Sequence, residues 1–183
     1  MGRENGDRIQ IIRLILLINY LCMNKTVESA LNKQIQKEIA SAYLYLSIAA
    51  YCEGKNLKGF VHWFEFQAKE EMTHAMKIYK YIYSRGGNIV LLALEQPKAK
   101  LNGPMDTLVS ALEHEKYITA EINKIYKLSV EKEDYATQSF LKWFIDEQVE
   151  EEESVIELIE KLKLTGEKGG TFYMFDRELG KRE

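Results

Sequence analysis

A carboxylate and an imidazole interrupt an apolar helical face in the middle of the chain. The face runs through positions 60, 64, 67, 71, 74, 78 and 81, whose steps of three and four residues follow one side of an α-helix. Glu71 and His74 stand at its centre. An ionised carboxylate taken out of water is costly unless it is paired or bound to metal. The pattern therefore indicates a buried ion pair or a metal site, although a histidine alone is more often a core residue.

Three other predicted helices carry a carboxylate at the same place in their stripes, namely Glu38, Glu115 and Glu151. Because the midpoints of antiparallel helices face one another, we expect these carboxylates to meet Glu71. The four stripes contain no Lys or Arg, which disfavours an ion-pair network. Two divalent cations would neutralise the four charges, and oxygen ligands with one imidazole favour Fe(II), Mn or Zn.

Helical periodicity, together with the residues that begin and end helices, predicts the elements that position these residues. Four helices are expected at about 24–53, 56–85, 104–131 and 135–165, with a short fifth helix at Thr171–Leu179. Asn56 and Asp134 are the expected N-caps of the second and fourth helices. Pro104 suits the first turn of the third, after Gly103.

The only long predicted connection, residues 87–104, decides the topology. It is long enough to run the length of the bundle, so the third helix can begin beside the start of the second. The other connections are short and give antiparallel neighbours. We therefore predict an all-α four-helix bundle with one long crossover between the second and third helices.

Length, charge and cysteine usage restrict the class of protein. The chain has 183 residues, 46% of them apolar, and a formal net charge of −3. That charge gives no argument for nucleic acid or a membrane as partner, and no apolar run approaches the length of a membrane span. Cys22 and Cys52 form no CxxC pair, so a reducing compartment is favoured and we expect a cytoplasmic protein.

The first 22 residues differ from the rest, and we divide the chain into a leader at 1–22 and one domain at 23–183. Arg3, Arg8 and Arg13 precede an apolar run, but no small-residue cleavage site follows it. A non-native leader is favoured over a secretory signal or a structural extension. This segment contributes nothing to the functional argument.

From Met23 to its C-terminus the chain resembles the non-haem ferritins of bacteria and archaea. The motifs that carry the resemblance are Glu38 with Ser41–Tyr45, Glu70–His74, His114–Glu115, and Trp143 with Asp146–Glu153. The resemblance implies the ferritin-like bundle and a hollow homo-oligomer of 24 subunits. It also implies oxidation of Fe(II) by O₂ or H₂O₂ and storage of ferric mineral.

The same resemblance implies roles for individual residues. Glu71 is expected to bridge two irons, and it and Tyr45, beside the centre, are the expected catalytic residues. Two irons per subunit are expected, with a third position near them. The ligands implied are Glu38, Glu71 and His74 for the first iron; Glu71, Glu115 and Glu151, with Gln148 nearby, for the second; and Glu70, Glu147, Glu150 and Glu151 for the third.

Two departures bear on the cofactor. Ile118 and Ser154 stand where a second Glu-x-x-His motif would place its histidine, so one histidine serves the centre. Met72 occupies the place of the haem-ligating methionine of bacterioferritins. Non-haem members also have methionine there, so we expect no haem.

Two alternatives stand beside an iron-storing ferroxidase. One is a di-iron oxidase or peroxidase that removes oxidant without storing mineral. The other is a helical structural or interaction module whose acidic core binds Zn or Ca loosely. For Glu70, Glu147 and Glu150 the alternative to a third site is a solvated acidic surface.

Overall fold

The computed structural model describes residues 23–182, which form five α-helices and no strand. The leader prediction concerns residues 1–22 and lies outside this range. Within it, none of the helices combines the length and the apolar character needed to cross a membrane. The predicted all-α architecture with a short fifth helix is confirmed. The helices are α1 (Lys25–Gly54), α2 (Lys58–Ser84), α3 (Pro104–Glu131), α4 (Tyr135–Thr165) and α5 (Gly169–Leu179).

Several helix ends lie where local sequence signals predict them. The helix α1 ends at Gly54, and α3 begins at Pro104 with Gly103 in the capping position. Asp134 caps α4, since its carboxylate accepts the backbone N–H of Thr137 at 3.1 Å. These ends depend on contacts between residues close together in the chain.

The prediction that Asn56 caps α2 is wrong. Asn56 has a φ of 60°, in the left-handed region that asparagine tolerates, and Leu57 holds the N-cap position without a side-chain hydrogen bond to the helix. Asp176 of α5 provides the acceptor instead. Its Oδ1 accepts the backbone N–H groups of Gly59 at 3.0 Å and Phe60 at 3.1 Å. The first turn of α2 is therefore capped by a residue more than a hundred positions away.

The long connection between α2 and α3 reverses the usual up-and-down order. Contacts of Lys37 with Glu121 and of Ser41 with His114 make α1 antiparallel to α3. The short turn at residues 55–57 makes α1 antiparallel to α2 as well. Consequently α2 and α3 run parallel, as the predicted crossover requires, and the midpoints of the four long helices lie at one level.

Two apolar clusters fill the two ends of the bundle, and polar side chains are buried between them. One cluster includes Phe60, Phe64, Leu108, Val155 and Leu162; the other includes Leu31, Ile78, Ile82, Ile122 and Phe144. We call the polar residues between them the polar layer: Glu38, Gln67, Glu71, His74, Glu115, Gln148 and Glu151. Buried polar groups cost free energy unless they are satisfied, so this layer identifies the site.

The helix α5 packs on the start of α2. Phe175 and Leu179 are buried there, and the ring centroids of Phe60 and Phe175 lie 5.8 Å apart. Gly59 permits the close approach, because a Cβ at that position would stand 1.5 Å from the backbone carbonyl oxygen of Asp176. This packing carries the chain end back along α2 towards the polar layer.

Candidate metal centre

The four mid-helix carboxylates are all removed from solvent. Glu38, Glu71, Glu115 and Glu151 are 1%, 1%, 0% and 5% exposed, and His74 is 4% exposed. Each stands on the inward face of its helix, as the stripes predict. The four carboxylates that the sequence predicts to be inward-facing are therefore buried, and how closely they approach one another depends on how the side-chain atoms are arranged.

Glu38, Glu71 and His74 form the tightest group in the layer. Their ligand atoms all lie within 4.8 Å of one another, and His74 Nδ1 is 3.6 Å from Glu71 Oε2. Among the described residues Glu71 Oε2 has no hydrogen-bond partner, although it is fully buried. A buried carboxylate oxygen of this kind normally has a partner. Two carboxylates and one imidazole this close together form a donor set suited to a divalent cation.

Two glutamines hold carboxylates of the layer in place. Gln34 Nε2 donates to Glu38 Oε1 at 2.9 Å, and Gln67 Nε2 donates to Glu151 Oε2 at 2.8 Å. The sequence interpretation missed both roles. Gln34 lies four residues before Glu38, a spacing that signals contact along one helix. The contact of Gln67 joins α2 to α4, and local spacing gives no sign of it.

Glu115 is held from two other directions. Tyr45 donates its hydroxyl to Glu115 Oε1, and Gln148 Nε2 donates to Glu115 Oε2 at 3.1 Å. The same amide nitrogen lies 3.3 Å from Thr119 Oγ1. The predicted neighbours Tyr45 and Gln148 thus contact Glu115 directly. Glu115 itself does not belong to the group of Glu38, Glu71 and His74, nor to a second close group that is formed by His74, Glu147 and Glu151.

The residues predicted for a third site are only partly brought together. Glu147 joins Glu151 and His74 in a second group, whose ligand atoms lie within 4.8 Å of one another. Glu70 is half-buried and pairs with Arg182 at 2.6 Å. Glu150 is exposed and belongs to neither group. The second group therefore uses a histidine that the sequence assigns to the first iron.

Burial raises the pKa values of three carboxyls in the layer, those of Glu38, Glu71 and Glu115. The pKa of Glu38 is well above its ordinary value, first through loss of hydration and then through the adjacent Glu71. Glu71 shifts in the same direction, through loss of hydration and the neighbouring Glu115. The pKa of Glu115 rises to about 7, through burial and then through Glu151. Protons, or cations in their place, are needed to keep the layer neutral.

Residues around the layer show raised or lowered pKa values for the same reason. Burial, reinforced by Glu115, raises the pKa of Tyr45 well above its ordinary value, so the phenol stays protonated and donates. Burial lowers the pKa of His114 to about 4. His114 is therefore neutral at pH 7 where it meets Ser41 Oγ, 2.7 Å from its Nε2.

Aromatic rings fix the orientation of His74. Its ring lies edge-on to Trp143 and Phe144, with centroids 5.4 and 6.0 Å away. Lys77 Nζ lies 3.2 Å from the centroid of the Trp143 ring, on the outer side of this wall. The imidazole is thus packed on one side and faces Glu71 with Nδ1.

The alternative to a metal site is a buried ion pair, but Lys37, the cation next to Glu38 in the chain, does not pair with it. Lys37 pairs with Glu121 instead. A cation does approach the edge of the layer, but it is Arg182, which follows α5 and contacts Gln67 and Glu70. Reasoning from the four stripes could not find it, because Arg182 belongs to none of them.

Comparison with known proteins gives consistent similarities. A family model described as a ferritin-like domain matches residues 28–165. Bacterial non-heme ferritins of Staphylococcus epidermidis and Staphylococcus aureus are each 37% identical over 160 residues, which cover 87% of this chain and 96% of each relative. An open pore ferritin from the archaeon Archaeoglobus fulgidus has a TM-score of 0.86 at 40% identity, over 88% of this chain and 98% of that one.

Proposed function

Because this chain belongs to the ferritin-like domain family, we propose that it is an iron storage protein with ferroxidase activity. It binds two Fe(II) ions as substrate in the polar layer and oxidises them with O₂ or H₂O₂. The Fe(III) product is stored as mineral inside a hollow homo-oligomer, in the cytoplasm. The single observation that carries the proposal is the close group of Glu38, Glu71 and His74, in which a buried oxygen of Glu71 lacks a hydrogen-bond partner among residues 23–182.

Glu38, Glu71 and His74 hold the first Fe(II). Glu71 bridges to the second, which Glu115 and Glu151 hold with Gln148 beside it. The hydrogen bonds of the layer support these roles, because Gln34 engages only one oxygen of Glu38 and Gln67 only one oxygen of Glu151. Each carboxylate is thereby oriented without having both oxygens engaged by a glutamine.

Neutralisation of the buried carboxylates provides much of the affinity of the polar layer for Fe(II). In the metal-free protein Glu38, Glu71 and Glu115 retain protons to higher pH than ordinary carboxyls, as their raised pKa values indicate. Two divalent cations replace those protons, so binding releases protons and strengthens as pH rises. The apolar clusters above and below the layer exclude bulk water and strengthen the electrostatic attraction.

The electron balance requires a pair of irons. Two Fe(II) ions give up two electrons, and O₂ takes both together with two protons and leaves as H₂O₂. When H₂O₂ is the oxidant, the same two electrons and two protons yield two water molecules. Tyr45 touches Glu115 and keeps its proton, so its role is to hold that carboxylate while the iron charge changes.

An exposed apolar strip supports assembly into an oligomer. Tyr43, Leu46, Met72 and Met76 on α1 and α2 are each between 42% and 51% exposed. Contiguous apolar surface of this kind is typical of a contact between proteins. The relatives' names and the fold support a ferritin assembly, and we propose the 24-subunit shell for this chain on that basis.

The test is rapid mixing of the metal-free oligomer with Fe(II) in air, followed by absorbance of Fe(III). A Glu38→Ala, His74→Ala double variant should lose at least about 90% of the initial rate, since it removes two of three ligands of the first iron. A matched control is Glu65→Ala, Thr73→Ala, because both residues are exposed on α2. Unchanged kinetics in the first variant would discredit the site assignment.

A non-storing oxidase with the same site is the second candidate, and particle size separates the two. A storage protein must elute as a large shell and retain many iron atoms per subunit after oxidation. A particle of one or two subunits that oxidises Fe(II) but releases Fe(III) would support the oxidase. Tightly bound zinc without iron turnover would support the interaction module instead.

A further inference from the structure

Arg182, the last described residue, lies at the outer edge of the metal centre. Its Nη2 donates to Glu70 Oε2 at 2.6 Å, and its Nη1 donates to the amide oxygen of Gln67. The guanidinium carbon also lies 5.2 and 4.6 Å from the ring centroids of Trp63 and Phe66. One side chain thus combines an ion pair, an amide contact and two aromatic contacts.

The contact with Gln67 reaches a proposed iron ligand. Because Arg182 donates to Oε1 of Gln67, the Nε2 of that amide is turned towards Glu151, whose Oε2 it meets at 2.8 Å. Arginine does not lose its proton in proteins, so this is a permanent positive charge. It lies in direct contact with Glu70 and one side chain away from Glu151.

The chain end is held against α2 on either side of the guanidinium. The backbone oxygen of Arg182 lies 2.8 Å from His62 Nε2. Six residues earlier, Asp176 caps the first turn of α2. The guanidinium is therefore one of several contacts that hold the tail on α2, beside the backbone oxygen of Arg182 and the carboxylate of Asp176.

We propose that Arg182 serves as a built-in counter-cation at the outer face of the centre, and that a divalent cation must displace it in order to bind Glu70. This inference rests on the proposed function, in which that cation is Fe(II) passing to or from the inner pair. Arg182 is a positioning residue here, since it acts through Glu70 and Gln67 and not on the iron pair itself.

The contact distances at Glu70 imply that a divalent cation and the Arg182 guanidinium compete for its carboxylate. A metal–carboxylate bond is about 2.1 Å long, shorter than the 2.6 Å contact that Glu70 Oε2 makes with the guanidinium. A cation bound to the same oxygen would stand within a few ångströms of the positive charge of Arg182. The two charges repel, so the guanidinium leaves or the cation binds weakly.

The experiment is calorimetric titration of the metal-free oligomer with Zn(II), a redox-inert probe, with bound zinc counted by equilibrium dialysis. Arg182→Gln should bind the outermost zinc about fivefold more tightly than the wild type, the effect of losing a competing, partly exposed ion pair. The zinc held by Glu38, Glu71 and His74 should keep its affinity, because Arg182 hydrogen-bonds to Glu70 and Gln67, and Gln67 to Glu151. Arg182→Lys should be intermediate, since an ammonium pairs with Glu70 but lacks the planar fork that contacts Glu70 and Gln67 at the same time.

Arg177→Gln is the matched control, because it removes the same charge from an exposed position on α5. Its zinc affinities should equal those of the wild type. A Glu70→Gln variant should lose the outer zinc, and Arg182→Gln should have no further effect on zinc binding in that background.

Hydrogen exchange measured by mass spectrometry gives a second readout. Zinc beyond the inner sites should speed exchange in the peptide that contains Gly180–Arg182, because the tail loses one of its contacts with α2. Equal or weaker outer binding in Arg182→Gln, or tail exchange unchanged by saturating zinc, would overturn the inference. Absence of zinc at the inner sites in every variant would instead overturn the proposed function.

Discussion

The carboxylate of Asp176 accepts the backbone N–H of Gly59 at 3.0 Å, so the fifth helix caps the second. The same oxygen accepts the next N–H, of Phe60, at 3.1 Å. Two of the four N–H groups that a helix start leaves unpaired are satisfied in this way. The contact fixes the tail that carries Arg182 and links the end of the chain to the helix that contains Glu71.

Asp176→Ala should destabilise the protein by about 1–2 kcal/mol, because it removes the cap of α2 and leaves buried N–H groups unpaired. Asp176→Asn retains a neutral acceptor oxygen and should cost less. Thermal unfolding of the metal-free protein measures both. Equal stability of Asp176→Ala and wild type would show that solvent satisfies the N–H groups of the helix start.

Gly59→Ala should also destabilise the folded protein, by about 1–3 kcal/mol, since the Cβ of the alanine would collide with the backbone of Asp176. Gly54→Ala is the matched control. No atom lies within 4 Å of a Cβ at Gly54, within the part of the chain described, so that change should be neutral or slightly stabilising. Chemical denaturation compares the two. A stable Gly59→Ala protein would mean that α5 shifts without loss of packing.

The metal-free protein should become less stable as pH rises from about 5 to about 8. The pKa of Glu115 is about 7 in the fold against an ordinary value of 4.5, so between these values the folded state binds more protons than the unfolded one. Glu115 therefore contributes on the order of 3 kcal/mol to the free energy of unfolding below pH 4.5, and this contribution is lost as pH rises through 7. Glu38 and Glu71 shift the same way.

Scanning calorimetry of metal-free samples across this range checks the direction. Glu115→Gln should make the decline less steep, because one of the three carboxyls with raised pKa values is gone. Saturating Zn(II) should reverse it, since cation binding strengthens as protons leave. A melting temperature that stays constant or rises with pH in the metal-free wild type would contradict the prediction.

Glu71→Gln should stabilise the metal-free protein while weakening cation binding. It removes a buried carboxyl that lies among other carboxyls, a change expected to gain about 1–3 kcal/mol at pH 8. Glu65→Gln, at an exposed position on the same helix, should change neither property. Unfolding and Zn(II) titration of the same samples give both readouts. Loss of both stability and binding would indicate a purely structural role for Glu71.

Tyr45→Phe should shift the pH dependence of cation binding upward by about one unit. The hydroxyl of Tyr45 donates to Glu115 and lowers its pKa, so its removal raises that pKa further above 7. Zn(II) affinity measured as a function of pH reports the midpoint. Tyr43→Phe, at an exposed position on α1, is the control. An unmoved midpoint would separate Tyr45 from Glu115.

Local sequence signals determined the helices and the faces that they bury. Helical spacing places Glu71 and His74 on one side of α2, and the positions of Gly54, Pro104 and Asp134 mark where helices begin or end. The long connection is enough to imply the crossover, because its reach exceeds the length of the bundle. These inferences succeed since periodicity, caps and connection length depend on neighbours in the chain.

Tertiary structure alone decided the contacts between residues distant in the chain. Leu57, and not Asn56, stands at the start of α2 because Asp176 supplies the acceptor from α5. Arg182, after the end of α5, reaches Glu70 on α2, and Gln67 on α2 reaches Glu151 on α4. A guanidinium can pair with many hydrogen-bond acceptors, and a carboxylate with many hydrogen-bond donors. Which partner it contacts depends on how the helices pack, and the spacing of residues within one helix does not indicate this packing.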